Sequence, residues 1–487
     1  MTSLMPDAAR SRQFLVPLIV ACALFMENLD STVVSTSLPA IARSFGENPL
    51  RLNLAITSYL LALGIFIPLS GWAADRFGAR TVFGSAIIVF TLGSIACSTV
   101  NNLPEFVLAR ILQGAGGAMM VPVGRLVILR TIPKHDLVNA MAWLTVPALL
   151  GPMLGPPVGG FISTYGSWRW IFLINIPIGL LGLALAFTFI ENIKKERKER
   201  FDSLGFAIVS IGLAATMFGF ENVGRGILPN VAVAALLGGG ILFLLLYYRH
   251  TRVTAAPIID IKLLRVPTFR ASVLGGFIFR MGIGALPFLT PMMLQLGFGL
   301  TPFASGMITF AGAAGAITMK FTAGPIIRRF GYRKVLLFNT GICALFMACY
   351  GLFTPTTPHL VIILTLLVGG FFRSLQFTSI NTLAYSDIDL PVMSRATTLS
   401  SVAQQLSLSF GVGVGALVLH LTLVMHDREH LTAADFGPAY YAIAVLGLMS
   451  LFYFVPLKAN AGDEVSGRIR PLDAINKGAV EVPQVAD

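Results

Sequence analysis

Two carboxylates, Glu27 and Asp30, stand three residues apart in the first apolar run of this chain. That spacing places them on one face of a helix. A carboxylate inside hydrocarbon is costly and is kept for function, and its simplest chemistry is to bind and release a proton. Arg110 lies in another apolar run. A buried guanidinium stays charged, so Arg110 is either a switching partner for one of these acids or a structural tie to backbone carbonyls. Three further bases, Arg280, Lys320 and Arg373, lie inside the second half, where no acid sits at mid-helix. Bases in a low-dielectric interior favour an anionic ligand through Coulomb attraction. Lys320 is nearer a helix end and can instead snorkel to water. Asn381, Gln404 and Gln405 are polar residues in apolar runs; they either hydrogen-bond a substrate or pack helices together.

Other patterns suggest chemistry and do not carry it. His426-Asp-Arg-Glu429-His430 has the order of an inverted zinc-protease motif, but it falls in a short loop with no third ligand and reads as a solvated loop. Gly411-Val-Gly413-Val-Gly415 falls at mid-membrane, where small residues serve as packing surface. No Walker motif is present, so ATP is not the expected energy source. Cys22, Cys97, Cys343 and Cys349 all lie in apolar runs without a CxxC pair, so neither a disulfide framework nor a zinc site is expected. The expectation is a non-enzyme with no catalytic residues, no metal and no cofactor.

The elements that position these residues follow from composition. Of 487 residues, 55% are hydrophobic and 12% charged, about half the charged share of a soluble domain. The apolar residues form runs of the length that crosses about 30 Å of hydrocarbon, and helices satisfy their own backbone there. Fourteen spans are expected, all α-helical, arranged as six, two and six. The halves are residues 1–190 and 268–457, and an extra pair occupies 204–248. Linkers cover 191–203 and 249–267. The tail, 458–487, is expected to be polar and disordered.

The net charge of +12 is explained by topology rather than by nucleic acid. Of the 35 Lys and Arg, 25 fall at the termini and in alternate loops, including the run 194–200. Five fall on the opposite side: Arg43, Arg51, Arg169, Arg225 and Arg428. Positive loops stay in the cytoplasm, so both termini are expected there. Arg10 and Arg12 before an apolar run imitate a signal peptide, but the run continues into the Asp30 region and reads as a retained first helix.

The segment Gly71-Trp-Ala-Ala-Asp75-Arg76-Phe77-Gly78-Ala-Arg80 reappears as Gly324-Pro-Ile-Ile-Arg328-Arg329-Phe330-Gly331-Tyr-Arg333, 253 residues later. The same offset carries Gly116-Gly117 onto Gly369-Gly370. Two related halves with a substrate site between them are typical of secondary transporters.

The first copy resembles the signature loop of the major facilitator superfamily. That resemblance implies that Asp75 sits at a helix N-terminus in a charge cluster that holds a cytoplasmic gate shut; Ala79 replaces a frequent base. Leu29-Asp30-Ser31-Thr32-Val33-Val34 with Ser37-Leu38-Pro39 resembles an element of the drug/proton antiporter branch. Arg110-Ile-Leu-Gln113-Gly114-Ala-Gly116-Gly117 resembles that branch's R-x-x-Q-G-x-G element, whose arginine takes part in proton transfer. Gly151, Gly155, Pro156, Gly159 and Gly160 match the antiporter motif of exporters, and its prolines are expected to kink the helix into a hinge. Trp168-Arg-Trp170-Ile-Phe-Leu-Ile-Asn175-Ile-Pro177 follows, as in the fourteen-helix branch.

The resemblance covers the chain to about Leu457. The second half, from Phe279-Arg280 to Gln404-Gln405-Leu-Ser, is similar to the MdtD-type multidrug resistance proteins. The function so implied is proton-driven efflux of small organic compounds by a monomer in the inner membrane. The alternatives are export of an organic anion or a metal–carboxylate chelate, with Arg280 and Arg373 as ligands, or a sensor that transports nothing.

Overall fold

The computed structural model describes residues 7–468 except 48, 194–199, 224–227 and 428–430. No strand occurs among the described residues. The first half contains α1 (Asp7–Phe45), α2 (Pro49–Phe66), α3 (Leu69–Phe77), α4 (Ala79–Thr99), α5 (Leu103–Thr131), α6 (Leu137–Tyr165), the short α7 (Trp170–Leu173) and α8 (Asn175–Phe189). The inserted pair is α9 (Ser203–Asn222) and α10 (Asn230–Val253). The second half begins with α11 (Pro267–Arg270), α12 (Gly276–Met292), α13 (Pro302–Lys320), α14 (Ala323–Phe330) and α15 (Tyr332–Tyr350). It continues through α16 (His359–Leu383), α17 (Met393–Met425), α18 (Phe436–Met449), α19 (Leu451–Phe454) and α20 (Asp463–Ser466).

Among the described residues, eleven helices or helical runs are long and apolar enough to cross a membrane, and thirteen spans result when each bent pair counts as one. The sequence reading has fourteen. The 29-residue α6 is not among those thirteen. Its prolines do not interrupt the helix, which runs unbroken from Leu137 to Tyr165.

The repeat is visible in three dimensions. The bent pairs are α2 with α3, at 57°, and α13 with α14, at 61°. The offset of 253 carries Phe77, the last residue of α3, onto Phe330, the last residue of α14. Each pair ends on a glycine with positive φ, 94° at Gly78 and 77° at Gly331. Only glycine adopts that conformation without steric cost, which explains why both copies keep it. The packing partners repeat as well. α1 lies on α6 as α12 lies on α17, and α4 lies on α5 as α15 lies on α16.

α1 runs parallel to α6, because Asn28, Thr32 and Ser37 meet Gly151, Gly155 and Ser163 in the same order. The start of α6 in turn contacts α20 near the other end of the chain. The described parts of both chain ends therefore lie at one end of the bundle. That end also carries Arg76, Arg130, Lys134, Arg328 and Arg333 and is called the basic end below. The start of the tail departs from expectation, while 469–487 lie outside the described residues. Residues 458–468 are ordered, with Val465 fully buried; that side chain finds an apolar seat that composition alone does not reveal.

α9 lies along the seam between the halves, against α2 and α17. Thr57 of α2 donates to Glu221 of α9 at 3.2 Å. Phe220 of α9 stacks on Phe410 of α17 with centroids 4.0 Å apart.

Candidate functional site

Asp30 is fully buried and fully engaged. Its Oδ2 lies 2.6 Å from Nη1 of Arg110, and both side chains are at most 1% exposed. Its Oδ1 accepts from Nε2 of Gln113 at 2.8 Å and from Nδ2 of Asn175 at 3.1 Å. Ser94 on α4 accepts from Asn175 at 2.9 Å and donates to the Phe172 carbonyl at 2.9 Å. Arg110 is held from several sides. It donates to the Gln113 side-chain oxygen at 2.6 Å and to the Ala55 carbonyl at 3.3 Å, and its guanidinium lies 4.3 Å from the Tyr59 ring centroid. A charge in a low-dielectric interior survives only with this density of partners.

Glu27 lies one turn nearer the basic end of α1 and is only half-buried as a residue. Its Oε2 is buried and has no hydrogen-bond partner among the described residues. A bare ionised carboxylate in such a place is expensive, and a protonated one far less so.

The glycines of α6 explain how α1 comes so close. A Cβ built on Gly151 would lie 2.8 Å from the Asn28 side chain and the Leu29 backbone nitrogen, and one on Gly155 would overlap the Thr32 hydroxyl. The two resembling elements are thus one contact: the exporter glycines seat the helix that carries both acids. The side chain of Pro156 lies outside the described residues. A Cβ built on Gly160 would have nothing within 4 Å, and Gly159 is buried.

At the basic end, Asp75 pairs with Arg130 at 2.8 Å and accepts from the Ser394 hydroxyl of the second half at 2.6 Å. Asp75 is near the C-terminal end of its own helix α3, but Ser394 is the second residue of α17, so the carboxylate lies against the N-terminus of that helix, where a negative charge is favoured. Ala79 is buried, so its position has no place for a base. Gly71 faces the Ser394 carbonyl, 2.8 Å from a built Cβ, and Ser70 meets Thr398 at 3.1 Å. Arg76 is exposed, and Arg80 lies 5.8 Å from the Phe187 ring centroid. In the second copy, Arg328 donates to the Ser466 carbonyl at 3.4 Å and Arg333 to the Val455 carbonyl at 3.2 Å, while Arg329 is exposed. The hydrogen bonds recorded between the halves, among the described residues, run between the basic-end parts of the helices.

Arg280 and Lys320 both bond to α16, at Asn381 and Thr378, one turn apart. Arg280 is 1% exposed and donates Nη2 to Asn381 at 2.8 Å, while its Nε and Nη1 have no partner among the described residues. Its guanidinium lies 5.1 Å from the Phe377 ring centroid. Lys320 donates to the Thr378 hydroxyl at 2.7 Å and is buried, so it does not reach water. Arg373 is partly buried, eight residues before Asn381 on α16, about 12 Å along the axis. Gln405 is partly exposed. Gln404 instead serves a residue that sequence reasoning missed. Arg125 of α5 is 5% exposed and crosses to the second half, donating to Tyr385 Oη at 3.3 Å and to Gln404 at 3.4 Å. It also places its positive charge near Arg280. A lone arginine between Gly124 and Leu126 has no motif to announce it; its position in an apolar run was the available signal.

His426 lies 3.4 Å from Asp435. Glu429 and His430 lie outside the described residues, as do 194–199 of the basic run. Among the described residues no group of three or more His, Cys, Asp or Glu is arranged to hold a metal. All four cysteines are free.

A bundle of two repeated halves, with a buried ion pair in one and glycine-lined contacts between them, has the architecture of a membrane transporter. Residues 20–412 match the model of the Major Facilitator Superfamily, and the chain belongs to that family. It is 40% identical over 414 residues to the "Putative multidrug resistance protein MdtD" of Salmonella heidelberg (strain SL476), covering 85% of this chain and 87% of the relative. The protein of the same name from Salmonella typhi matches to the same extent. Among solved structures, the human organic anion transporter MFSD10 (TETRAN) superposes with a TM-score of 0.66 at 16% identity, over 92% of this chain and all of the other. The proton:xylose symporter XylE superposes with a TM-score of 0.66 at 18% identity, over 94% and 99% of the two chains. At those identities the likeness speaks for the fold.

Proposed function

We propose that this protein is a proton-coupled exporter of small organic compounds, a multidrug efflux transporter of the inner membrane that works as a monomer by alternating access. The basic end is cytoplasmic, with both termini there, and the described contacts between the halves close that end. The energy source is the proton gradient, with no cofactor. The observation that carries the reading is the unequal treatment of two acids one turn apart. Asp30 is locked to Arg110, Gln113 and Asn175, and Glu27 has a buried oxygen with no partner.

Glu27 carries the proton. With the cytoplasmic end closed it takes a proton from the outer side, which removes the cost of a bare charge. When the halves rock, water reaches it from the cytoplasm and the proton leaves. Asp30 and Arg110 hold α1 in register while this happens. In everted membrane vesicles, uptake of an organic dye should follow the imposed pH gradient and collapse with a protonophore. Uptake indifferent to both would refute the coupling.

A second reading is favoured by Arg280, whose Nε and Nη1 are buried without partners and whose charged neighbour is Arg125. Two cations without an acid suit an anionic substrate. Arg280→Ala would then abolish transport of an organic anion while sparing an uncharged dye; retained anion flux counts against this reading.

A further inference from the structure

The two copies of the gate loop are unequal in charge. The first places Asp75 where it reaches Ser394 of the opposite half. The offset of 253 puts Arg328 at the corresponding place in the second copy. Arg328 cannot accept a hydrogen bond from the first half; it donates to the carbonyl of Ser466, in the segment that follows the last span. That segment returns across the basic end. From α19 it passes Leu457 and Ala461, both buried, to the four-residue α20. A helix this short does not stand by itself, so its order comes from what it touches.

Gly462 and Gly467, with φ of 73° and 65°, flank α20. Gly462 lies so close to the Tyr332 ring that a built Cβ would come within 2.5 Å. Val465 is fully buried. Arg468 donates to the Phe330 carbonyl at 3.3 Å and so satisfies a carbonyl at the end of α14. On its other side α20 contacts the turn at Lys134–Asp136 and the start of α6, in the first half. There Glu464 lies 3.4 Å from Nζ of Lys134, which also donates to the Ser386 carbonyl at 3.1 Å. That ion pair is mostly exposed and contributes little by itself; the buried Val465 and the backbone contacts carry the attachment.

We infer that residues 458–468 form a strap across the closed basic end, anchored to the second half through Arg328 and Tyr332 and to the first through Lys134, and that it releases each time this end opens. It supplies the second half with the cross-gate contact that Arg328, standing where an acid would be, does not make. The inference rests on reading the basic end as a gate, and it holds whichever substrate or ion the protein moves.

The test reads gate opening without transport. In a variant with its native cysteines replaced, Ser70→Cys places a thiol at the closed seam against Thr398. Everted vesicles are treated with a membrane-impermeant maleimide. Val465→Asp should raise the labelling rate several-fold. Joining Lys134→Cys to Glu464→Cys with a short, thiol-cleavable bis-methanethiosulfonate should suppress labelling and stop transport, and dithiothreitol should restore both. If Val465→Asp prevents folding, the cross-link alone decides. A cross-linked protein that labels and transports like the uncross-linked one overturns the strap. Labelling that responds as expected in a protein that ignores the pH gradient overturns the proton coupling and leaves the strap intact.

Discussion

Each oxygen of the Asp30 carboxylate has a donor, and the donors come from α5 and α8. Removing one member of a buried ion pair leaves the other charge uncompensated, at about 3–5 kcal/mol. Asp30→Asn should therefore lower the unfolding free energy of the purified protein by that order, seen as a fall in melting temperature. Asn175→Ala deletes one neutral donor to the carboxylate, and its loss should be smaller, about 1–3 kcal/mol. The Oε2 of Glu27 has no partner among the described residues, so Glu27→Gln should change the unfolding free energy by less than about 1 kcal/mol. The two acids share one helix face and are separated by thermal melting alone. The sequence placed both on that face through their spacing of three. It did not show which was held, because Asn175 is 145 residues from Asp30 and Ser94 is 64, and no local pattern records a partner at that distance.

At the scale of elements, α1 fits closely against α6. Gly155 faces Thr32 with no space for a side chain. Gly155→Val should force the helices apart and abolish transport even if both acids are intact, while the protein still inserts in the membrane; transport assays beside quantified membrane expression check this. At the gate, Arg130→Ala removes the partner of a partly buried Asp75. It should weaken closure and increase labelling of Ser70→Cys from the basic end. These joints were readable from motifs, since glycine spacing and charged loops are short-range features. Which helix start Asp75 meets was not: Ser394 at the beginning of α17 lies 319 residues away in the chain. Arg125 was legible only as a charge in an apolar run, because its partners Tyr385 and Gln404 are set by how the halves meet.

On the scale of the whole molecule, the 253-residue offset accounts for the two bent spans, the matching positive-φ glycines and the repeated helix pairs. Carried into the first helix, it places Glu27 of one half on Arg280 of the other. Duplicated architecture thus bears opposite charge at corresponding positions, an acid in one half and, in the other, a base two of whose donor groups have no partner among the described residues. The inserted pair bridges the seam through Phe220 and Glu221, a role that helix counting does not provide. The ordered strap was equally hidden, since a polar tail owes its order to surfaces made by distant helices. The central claim is that Glu27 carries the proton exchanged for substrate. It is tested most directly in proteoliposomes holding wild-type protein or Glu27→Gln, with a dye on both sides and a pH gradient across the membrane. The account predicts that Glu27→Gln loses gradient-driven dye accumulation yet keeps gradient-free dye exchange. Accumulation equal to wild type would contradict it.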